Sequence, residues 1–252
     1  MKLLGLIGYP LGHSFSKSYF NDKFTQLGIA NEWYYDTFSI ENIEKLHDIL
    51  RGYPNLVGLN VTIPYKQAVI PFVDKLDETA AAVGAVNCIR IEKGQLIGYN
   101  TDVYGFEKSL LGLIDAPNLE SLLALKLKAL ILGTGGASKA VAYTLNKWHI
   151  PFHYVSRTRS ETSLGYDDVD AKMMKTHRLI INTTPLGMSP NTEGYPQLPY
   201  EAIGHQHFLY DLVYNPITTE FMKRGLAYGA KAKSGLDMLH FQAEKGWEIW
   251  NK

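Results

Sequence analysis

The sequence feature that most constrains the fold is a glycine-rich turn between an apolar strand and an apolar helix. Residues 128–132 read Lys-Ala-Leu-Ile-Leu, residues 133–138 read Gly-Thr-Gly-Gly-Ala-Ser, and an apolar run follows. A strand, a glycine turn and a helix in this order form the local structure that binds a dinucleotide pyrophosphate. Gly133 would permit the tight turn and Gly135 a close approach of the phosphates, although Ser138 stands where a third glycine or alanine is usual. We therefore predict a Rossmann-like half.

A basic turn follows the next predicted strand, residues 151–155. Arg157 and Arg159 lie where a dinucleotide fold contacts the adenosine ribose. An acidic residue there would accept a hydrogen bond from a ribose 2′-hydroxyl, whereas arginines suit a 2′-phosphate, so the sequence favours NADP over NAD. The alternative is a solvated basic turn, in which Glu161 could pair with either arginine.

A second group of polar residues lies in the first hundred residues. We predict a strand over residues 56–63 that ends before Pro64, with Asn60 and Thr62 on one face and Lys66 just beyond. An amide, a hydroxyl and an ammonium group suit a small polyhydroxylated ligand. The alternative is an edge strand followed by a solvated lysine.

Two serines precede a helix that we predict to run to about Leu27. Ser14 or Ser16 could cap this helix, and two hydroxyls beside a helix N-terminus could also bind an anion. Simple N-capping is the alternative to anion binding. Further along, we predict that Ser39 caps a helix over residues 40–51.

Strands alternate with helices along the chain, which predicts an α/β fold with mainly parallel sheets. In such sheets, ligand-binding residues collect at the C-terminal ends of the strands. This rule would bring together Ser14, Ser16, Asn60, Lys66, Asn87 and Asp102. We predict two domains with a cleft between them: a discontinuous α/β substrate-binding domain, residues 1–102 and 235–252, and a Rossmann-like NADP-binding domain, residues 103–234.

Composition limits the classes of partner. The 252 residues are 46% hydrophobic and 20% charged, which is enough for two modest domains with full cores. A formal net charge of zero gives no sign of a nucleic-acid partner, and no apolar stretch approaches the roughly twenty residues of a membrane span. The single cysteine, Cys88, cannot form an internal disulfide. We expect a cytoplasmic monomer or homodimer that binds a small molecule and no metal.

Motifs distributed along nearly the whole chain resemble those of the shikimate dehydrogenase family. They occur at residues 8–10, 13–16, 60–66, 84–87, 100–102, 133–137, 182–188, 210–216, 235–238 and 242–243. The motifs come in the family's order, so the resemblance is far more specific than a glycine turn alone.

The resemblance implies reversible reduction of 3-dehydroshikimate to shikimate with NADPH, in aromatic amino acid biosynthesis. It also implies that Lys66 and Asp102 are a catalytic pair that shares the proton transfer. With the interpretation of the residues given above, the expected substrate-binding residues are Ser14, Ser16, Asn60, Thr62, Asn87, Tyr214 and Gln242. The expected cofactor-binding residues are Gly133, Thr134, Gly135, Gly136, Ala137, Ser156, Arg157, Thr158, Arg159, Thr184, Met188 and Gly235.

Three departures from the family pattern bear on specificity. Lys17 replaces the usual proline after the serine pair, and Ser156 replaces the usual asparagine before the basic turn. The arginine expected a few residues later is absent, and Arg159 is the nearest candidate. Two alternatives stay open: a quinate/shikimate dehydrogenase with relaxed substrate or cofactor choice, and a non-catalytic sensor of dinucleotide or shikimate. The presence of both members of the catalytic pair favours an enzyme over a sensor.

Overall fold

The computed structural model describes residues 1–12 and 15–252, which form two compact α/β units. The first unit comprises Met1–Thr101 and Ala243–Lys252, and the second comprises Asp102–Gln242. Within the described residues, no helix combines the length and the apolar character needed to cross a membrane. The functional division at residues 102 and 235 stays a prediction.

The first unit is built on a six-stranded sheet with the strand order β2-β1-β3-β5-β6-β4. The strands are β1 (Lys2–Gly8), β2 (Trp33–Ser39), β3 (Leu56–Val61), β4 (Lys75–Leu76), β5 (Cys88–Glu92) and β6 (Gln95–Tyr99). β2 and β3 run parallel to β1, whereas β5 is antiparallel to β3 and β6. β5 and β6 form a hairpin that turns at Gly94, with that glycine at φ +79°, and the antiparallel pairs make the sheet mixed.

Helices cover both faces of the first sheet. They are α1 (Phe15–Gln26), α2 (Leu46–Gly52), α3 (Tyr65–Ala68), α4 (Glu78–Val83) and the end of α10 (Leu236–Trp250), with 3-10 turns at Ile43–Lys45 and Ile70–Phe72. Successive side chains of β1 enter opposite cores: Leu3 packs with the α2 side, and Leu4 packs with α1 and α10. Trp247 and Trp250 of α10 pack on the first hundred residues, and Trp250 Nε1 donates to Ile89 O at 2.9 Å.

The predicted end of β3 is wrong by two residues. The strand stops at Val61 and not at Ile63, because the chain turns at once: Tyr65 N donates to Thr62 O at 2.8 Å. Thr62 therefore lies just after the strand, and Lys66 lies in the short helix α3.

The predicted helix cap at Ser39 is also wrong, and of the two candidate caps of the first helix only Ser16 can be assessed. Ser39 ends β2, and the cap is formed by Asn42, whose side chain accepts from Glu44 N at 3.0 Å. Ser16 lies inside the first turn of α1, so it does not cap that helix. Ser14 lies outside the described residues.

The second unit is a six-stranded parallel sheet with the order β12-β11-β10-β7-β8-β9. Its strands are β7 (Ala129–Leu132), β8 (Phe152–Ser156), β9 (Ser163–Gly165), β10 (Leu179–Asn182), β11 (Phe208–Asp211) and β12 (Lys231–Ser234). The chain order reverses between β7 and β10, which is the doubly wound arrangement of nucleotide-binding folds. The Rossmann-like prediction is confirmed.

Helices also pack on both faces of this sheet. They are α5 (Asp102–Ile114), α6 (Leu119–Ala124), α7 (Gly136–Lys147), α8 (Ala171–Thr176), α9 (Glu220–Ala227) and the beginning of α10, with 3-10 turns at Tyr166–Asp168 and Tyr200–Ala202. One core contains Ile131 with α5 and α7, and the other contains Leu130 with α8 and α9. Ligand-binding groups are expected at the C-terminal ends of the strands, where the order reverses.

Candidate active site

Two buried asparagines mark one edge of the first sheet. Asn60, near the end of β3, is 6% exposed, and Asn87, directly before β5, is 3% exposed. Asn60 pairs with Cys88 in the antiparallel register, so Asn87 lies next to the end of β3. The end of β6 reaches the same edge, because β6 is antiparallel to β5. The sheet therefore places two amides at one rim, as the sequence predicted.

The Asn60 side chain is fixed from both sides. Its Oδ1 accepts from the Tyr35 hydroxyl at 2.7 Å, and its Nδ2 donates to Asn87 O at 3.2 Å. Asn87 O also accepts from Val61 N at 2.9 Å. Buried polar groups with such partners are held in one orientation, so a ligand meets a preformed rim.

Asn87 binds the end of β6 through its side chain. Its Oδ1 accepts from Thr101 N at 2.7 Å, and its Nδ2 donates to Thr101 Oγ1 at 2.9 Å. Asn100 Nδ2 donates to Ala85 O at 3.0 Å, which ties the same two segments together. Asp102, which follows Thr101 in the chain, is the first residue of α5.

Tyr35 joins two of the predicted substrate-binding residues, and the sequence analysis missed it. Its ring stacks on Phe20, with centroids 4.8 Å apart, and its hydroxyl is hydrogen bonded to Ser16 as well as to Asn60. Burial raises the pKa of Tyr35 well above its ordinary value, so the hydroxyl keeps its proton. An aromatic residue in an apolar strand looks like a core residue, so no sequence signal indicated this role.

The remaining candidates of the first unit lie around this rim. Val86 N donates to Lys66 O at 2.7 Å, which fixes the backbone at Lys66. The Thr62 methyl group occupies the space that a side chain on Gly8 would need. Lys17 Nζ lies 2.6 Å from Asp36 Oδ1, and this carboxylate raises the pKa of Lys17. The added charge of Lys17 is thus matched by a carboxylate.

The glycine turn of the second unit has the geometry expected for a phosphate-binding loop. Gly133 adopts φ +99°, and a Cβ there would lie 2.9 Å from Thr184 Cγ2. A Cβ on Gly135 would meet no atom within 4 Å, so the backbone at the start of α7 faces open space. Ser138 is buried, and its hydroxyl donates to Gly135 O at 2.7 Å, which explains how serine fits the third position. Free backbone N–H groups and no acidic residue in the first turn of α7 suit a pyrophosphate.

The basic turn follows directly on β8. Arg159 Nη1 lies 3.0 Å from Asp168 Oδ1, so the carboxylate partner of Arg159 is Asp168 and not Glu161. Arg157 lies near Tyr166, where its charge opposes the rise that burial causes in the pKa of that tyrosine. The turn therefore offers cationic side chains at the strand end where the fold contacts a ribose.

A buried carboxylate ties together the loops after β10 and β11. Asp211 accepts from Asn182 Nδ2 at 2.9 Å, from Val213 N at 3.0 Å and from Thr219 Oγ1 at 2.6 Å. Burial raises the pKa of Asp211 to about 6. Asn182 Oδ1 in turn accepts from Thr184 Oγ1 at 2.6 Å. The sequence analysis gave neither strand-end residue a role, although each is a single polar residue that ends an apolar strand.

The other candidates of the second unit lie on or near these loops. Met188 is 46% exposed and Tyr214 is 39% exposed. Gly235 has no room for a side chain, because a Cβ would lie 2.3 Å from Leu212 O. Gln242 Nε2 donates to Leu239 O at 2.9 Å within α10. Exposed side chains and close backbone packing at strand ends suit the planar ring of a nicotinamide.

One unit with a rim of fixed amides and one Rossmann-like unit with an open glycine turn define the class of two-unit α/β nucleotide-binding proteins. The family model described as the shikimate dehydrogenase substrate binding domain matches residues 6–89. A curated relative from Methanococcus maripaludis, shikimate dehydrogenase (NADP(+)), is 37% identical over 99% of this chain and 91% of its own. The chain belongs to the shikimate dehydrogenase family.

Solved structures agree with this assignment. A shikimate dehydrogenase crystallised in complex with NADP+ matches with a TM-score of 0.84 and 33% identity, covering 99% of this chain and 89% of its own. Shikimate 5-dehydrogenase from Thermus thermophilus, in complex with NADP(H) and shikimate, matches with a TM-score of 0.83 and 29% identity, covering 99% and 93%. The similarity therefore extends over both units.

Proposed function

We propose that this chain catalyses the reversible reduction of 3-dehydroshikimate to shikimate with NADPH, in aromatic amino acid biosynthesis. The observation that carries the proposal is the pair of fixed, buried amides of Asn60 and Asn87. They lie at the rim of the unit that matches the family's substrate binding domain. Relatives that share nearly the whole chain have the same named activity.

The substrate is a cyclohexene carboxylate that carries hydroxyl groups, and the proposed contacts follow from its chemistry. Hydroxyls of Ser14 and Ser16 bind the carboxylate, and amides and hydroxyls at the rim bind the ring oxygens. The proposed ring contacts are Asn60, Thr62, Asn87, Asp102, Tyr214 and Gln242. Each of these groups can donate or accept a hydrogen bond, so the set can discriminate the positions of the ring hydroxyls.

The cofactor is proposed to bind the second unit through the residues that the sequence indicated. The pyrophosphate would be held by Gly133, Thr134, Gly135, Gly136 and Ala137. The ribose and its 2′-phosphate would be held by Ser156, Arg157, Thr158 and Arg159. The nicotinamide would be held by Thr184, Met188 and Gly235. The open backbone at Gly135 and the absence of acidic residues in the first turn of α7 fit these groups. When bound, NADPH supplies the hydride.

The protein itself must supply a proton. Reduction of a ketone creates an alkoxide oxygen that needs an acid, and oxidation of the alcohol needs a base. We assign this transfer to Lys66 and Asp102 acting as a pair, because an ammonium group can donate a proton and a carboxylate can accept one. The Asn60–Tyr35–Ser16 hydrogen bonds orient groups around the substrate and take no proton from it.

The proposed form of the protein is a cytoplasmic monomer or homodimer whose partners are small molecules. Neither nucleic acid nor a membrane is part of the proposal. The neutral net charge supports this, since binding to polyanions relies on clustered positive charge.

The test is the absorbance of reduced nicotinamide in a four-way comparison of shikimate or quinate with NADP or NAD. We expect turnover with shikimate and NADP, and much slower turnover for the three other pairs. Comparable rates with quinate or NAD would replace the proposal by a quinate/shikimate dehydrogenase of relaxed specificity. Binding of NADP without turnover of either substrate would indicate a sensor.

A further inference from the structure

We infer that Asp168 weakens the preference of the second unit for a 2′-phosphate by competing with that phosphate for Arg159, so that Arg157 makes the main phosphate contact. This inference rests on the proposed NADP-dependent function and names a specificity-determining residue within it. It concerns the turn after β8, where a Rossmann fold distinguishes a ribose 2′-hydroxyl from a 2′-phosphate.

The carboxylate of Asp168 is fixed, whereas its arginine partner is free to turn. Asp168 Oδ2 accepts from Gly165 N at 2.8 Å, and Gly165 pairs in register with Ser156 at the end of β8. Asp168 Oδ1 lies 3.0 Å from Arg159 Nη1. The Arg159 side chain is 72% exposed and that of Asp168 is 30% exposed. Arg159 is therefore the member of the pair that must move to reach a phosphate.

The two arginines of the turn differ in their surroundings. Arg157 forms no ion pair with any of residues 1–12 or 15–252, and its charge acts on the Tyr166 hydroxyl. Arg159 is already neutralised by Asp168. An arriving 2′-phosphate would have to displace this carboxylate and would also be repelled by it. An exposed ion pair of this kind changes affinity by only about threefold, so Asp168 adjusts the preference and does not abolish it.

Calorimetric titration of the full chain with adenosine 2′,5′-bisphosphate and with 5′-AMP tests the inference without turnover. Asp168→Asn keeps an oxygen that can accept from Gly165 N–H and removes the charge. We expect the variant to bind the bisphosphate about threefold more tightly and 5′-AMP unchanged, with the gain reduced in high salt. Asp167→Asn is the matched control, because it removes the same charge from the adjacent exposed residue.

Variants of the two arginines test whether Asp168 and the 2′-phosphate compete for Arg159. Arg159→Gln should change bisphosphate binding little in the wild-type background but should abolish the gain in the Asp168→Asn background. Arg157→Gln should weaken bisphosphate binding about tenfold in both backgrounds, as expected for the loss of one charge-assisted contact.

The outcomes separate the inference from the proposed function. Wild-type protein that binds the bisphosphate and 5′-AMP equally would overturn both. A wild-type preference for the bisphosphate combined with no gain in Asp168→Asn, or with an equal gain in Asp167→Asn, would overturn the inference alone. Loss of 5′-AMP binding in Asp168→Asn would also overturn it, because Asp168 would then act as a direct acceptor for the ribose.

Discussion

The two units present their candidate binding groups in opposite ways. In the first unit the groups are buried and hold one another, as in the contacts of Asn87 with Thr101 and of Asn60 with Tyr35. In the second unit the groups are open backbone at Gly135 and exposed charges in the basic turn. A small hydroxylated substrate is distinguished by precise hydrogen-bond positions, whereas a large anionic cofactor can be held by an exposed anion site. We expect changes at the rim of the first sheet to affect chemistry and substrate, and changes at the glycine turn and the basic turn to affect the cofactor.

The largest expected effect comes from removing the proposed proton donor in the first unit. Lys66→Ala should lower kcat by about 100- to 10,000-fold, the usual range for a general acid–base group, while cofactor affinity stays unchanged. Initial rates of shikimate oxidation and calorimetry with NADP measure the two quantities. Lys45→Ala, at an exposed lysine of the same unit, is the control. Near-normal kcat in Lys66→Ala would remove this residue from the mechanism.

A second effect tests the one buried carboxylate that ties the loops of the second unit. The pKa of Asp211 is about 6 in the folded protein against an ordinary value of 3.8, so the folded state keeps a proton that the unfolded state has lost. The Asp211 contribution to stability is therefore present below about pH 4 and lost as the pH rises to about 6. The loss amounts to about 3 kcal/mol.

Denaturant unfolding of wild type and Asp211→Asn across this pH window measures the effect. The free energy of unfolding of the variant should increase relative to that of wild type as the pH rises, whatever the difference between the two at any one pH. Asp167→Asn, at an exposed carboxylate, should leave the wild-type pH dependence unchanged. Parallel curves for Asp211→Asn and wild type would show that the carboxyl has an ordinary pKa.

Gly133 and Gly135, two glycines of the same turn, should respond differently to substitution by alanine. Gly133→Ala places a side chain at φ +99° and against Thr184, so it should lower the free energy of unfolding by about 1–3 kcal/mol. Gly135→Ala meets open space and should change stability by less than about 0.5 kcal/mol, but it should weaken NADP binding because the phosphates approach there. Denaturant unfolding and calorimetry check the pair. Equal losses in the free energy of unfolding would mean that backbone conformation and space restrict a side chain to the same extent at the two positions.

A smaller effect is expected at the tyrosine that supports the substrate rim. Tyr35→Phe keeps the ring stacked on Phe20 and removes only the hydroxyl shared by Ser16 and Asn60. The KM for shikimate should rise about fivefold, equivalent to about 1 kcal/mol, with the KM for NADP unchanged. Tyr53→Phe, at an exposed tyrosine of the same unit, is the control. Equal KM values for shikimate in Tyr35→Phe and wild type would show that the rim does not depend on this hydroxyl.

Local signals in the sequence predicted much of the fold. The strand, the glycine turn and the helix around Gly133 depend on neighbouring residues, and the structure confirms them. The wrong cap at Ser39 shows the limit of such signals, because Asn42 lies three residues later and is an equally good acceptor. Nothing local distinguishes the two positions.

The parts of the site that sequence analysis missed depend on contacts between distant residues. Tyr35 and Asn60 are 25 residues apart, and Asn182 and Asp211 are 29 apart. Asn182 and Asp211 meet because β10 and β11 are neighbouring strands, and Tyr35 and Asn60 meet because β2 and β3 lie on either side of β1. Arg159 is a similar case, since its partner Asp168 belongs to the segment that follows β9, a strand that the sequence analysis did not predict.

The proposed roles of the rim of the first sheet in substrate binding and of the basic turn in cofactor binding can be tested together by one set of steady-state measurements. KM values for shikimate and for NADP should be determined for Thr62→Val and Arg157→Gln. Thr62→Val keeps the methyl group that packs at Gly8 and replaces the hydroxyl by a second methyl group of similar size. We expect Thr62→Val to raise only the KM for shikimate and Arg157→Gln to raise only the KM for NADP. A rise of both constants in each variant, or a reversed pattern, would contradict these roles.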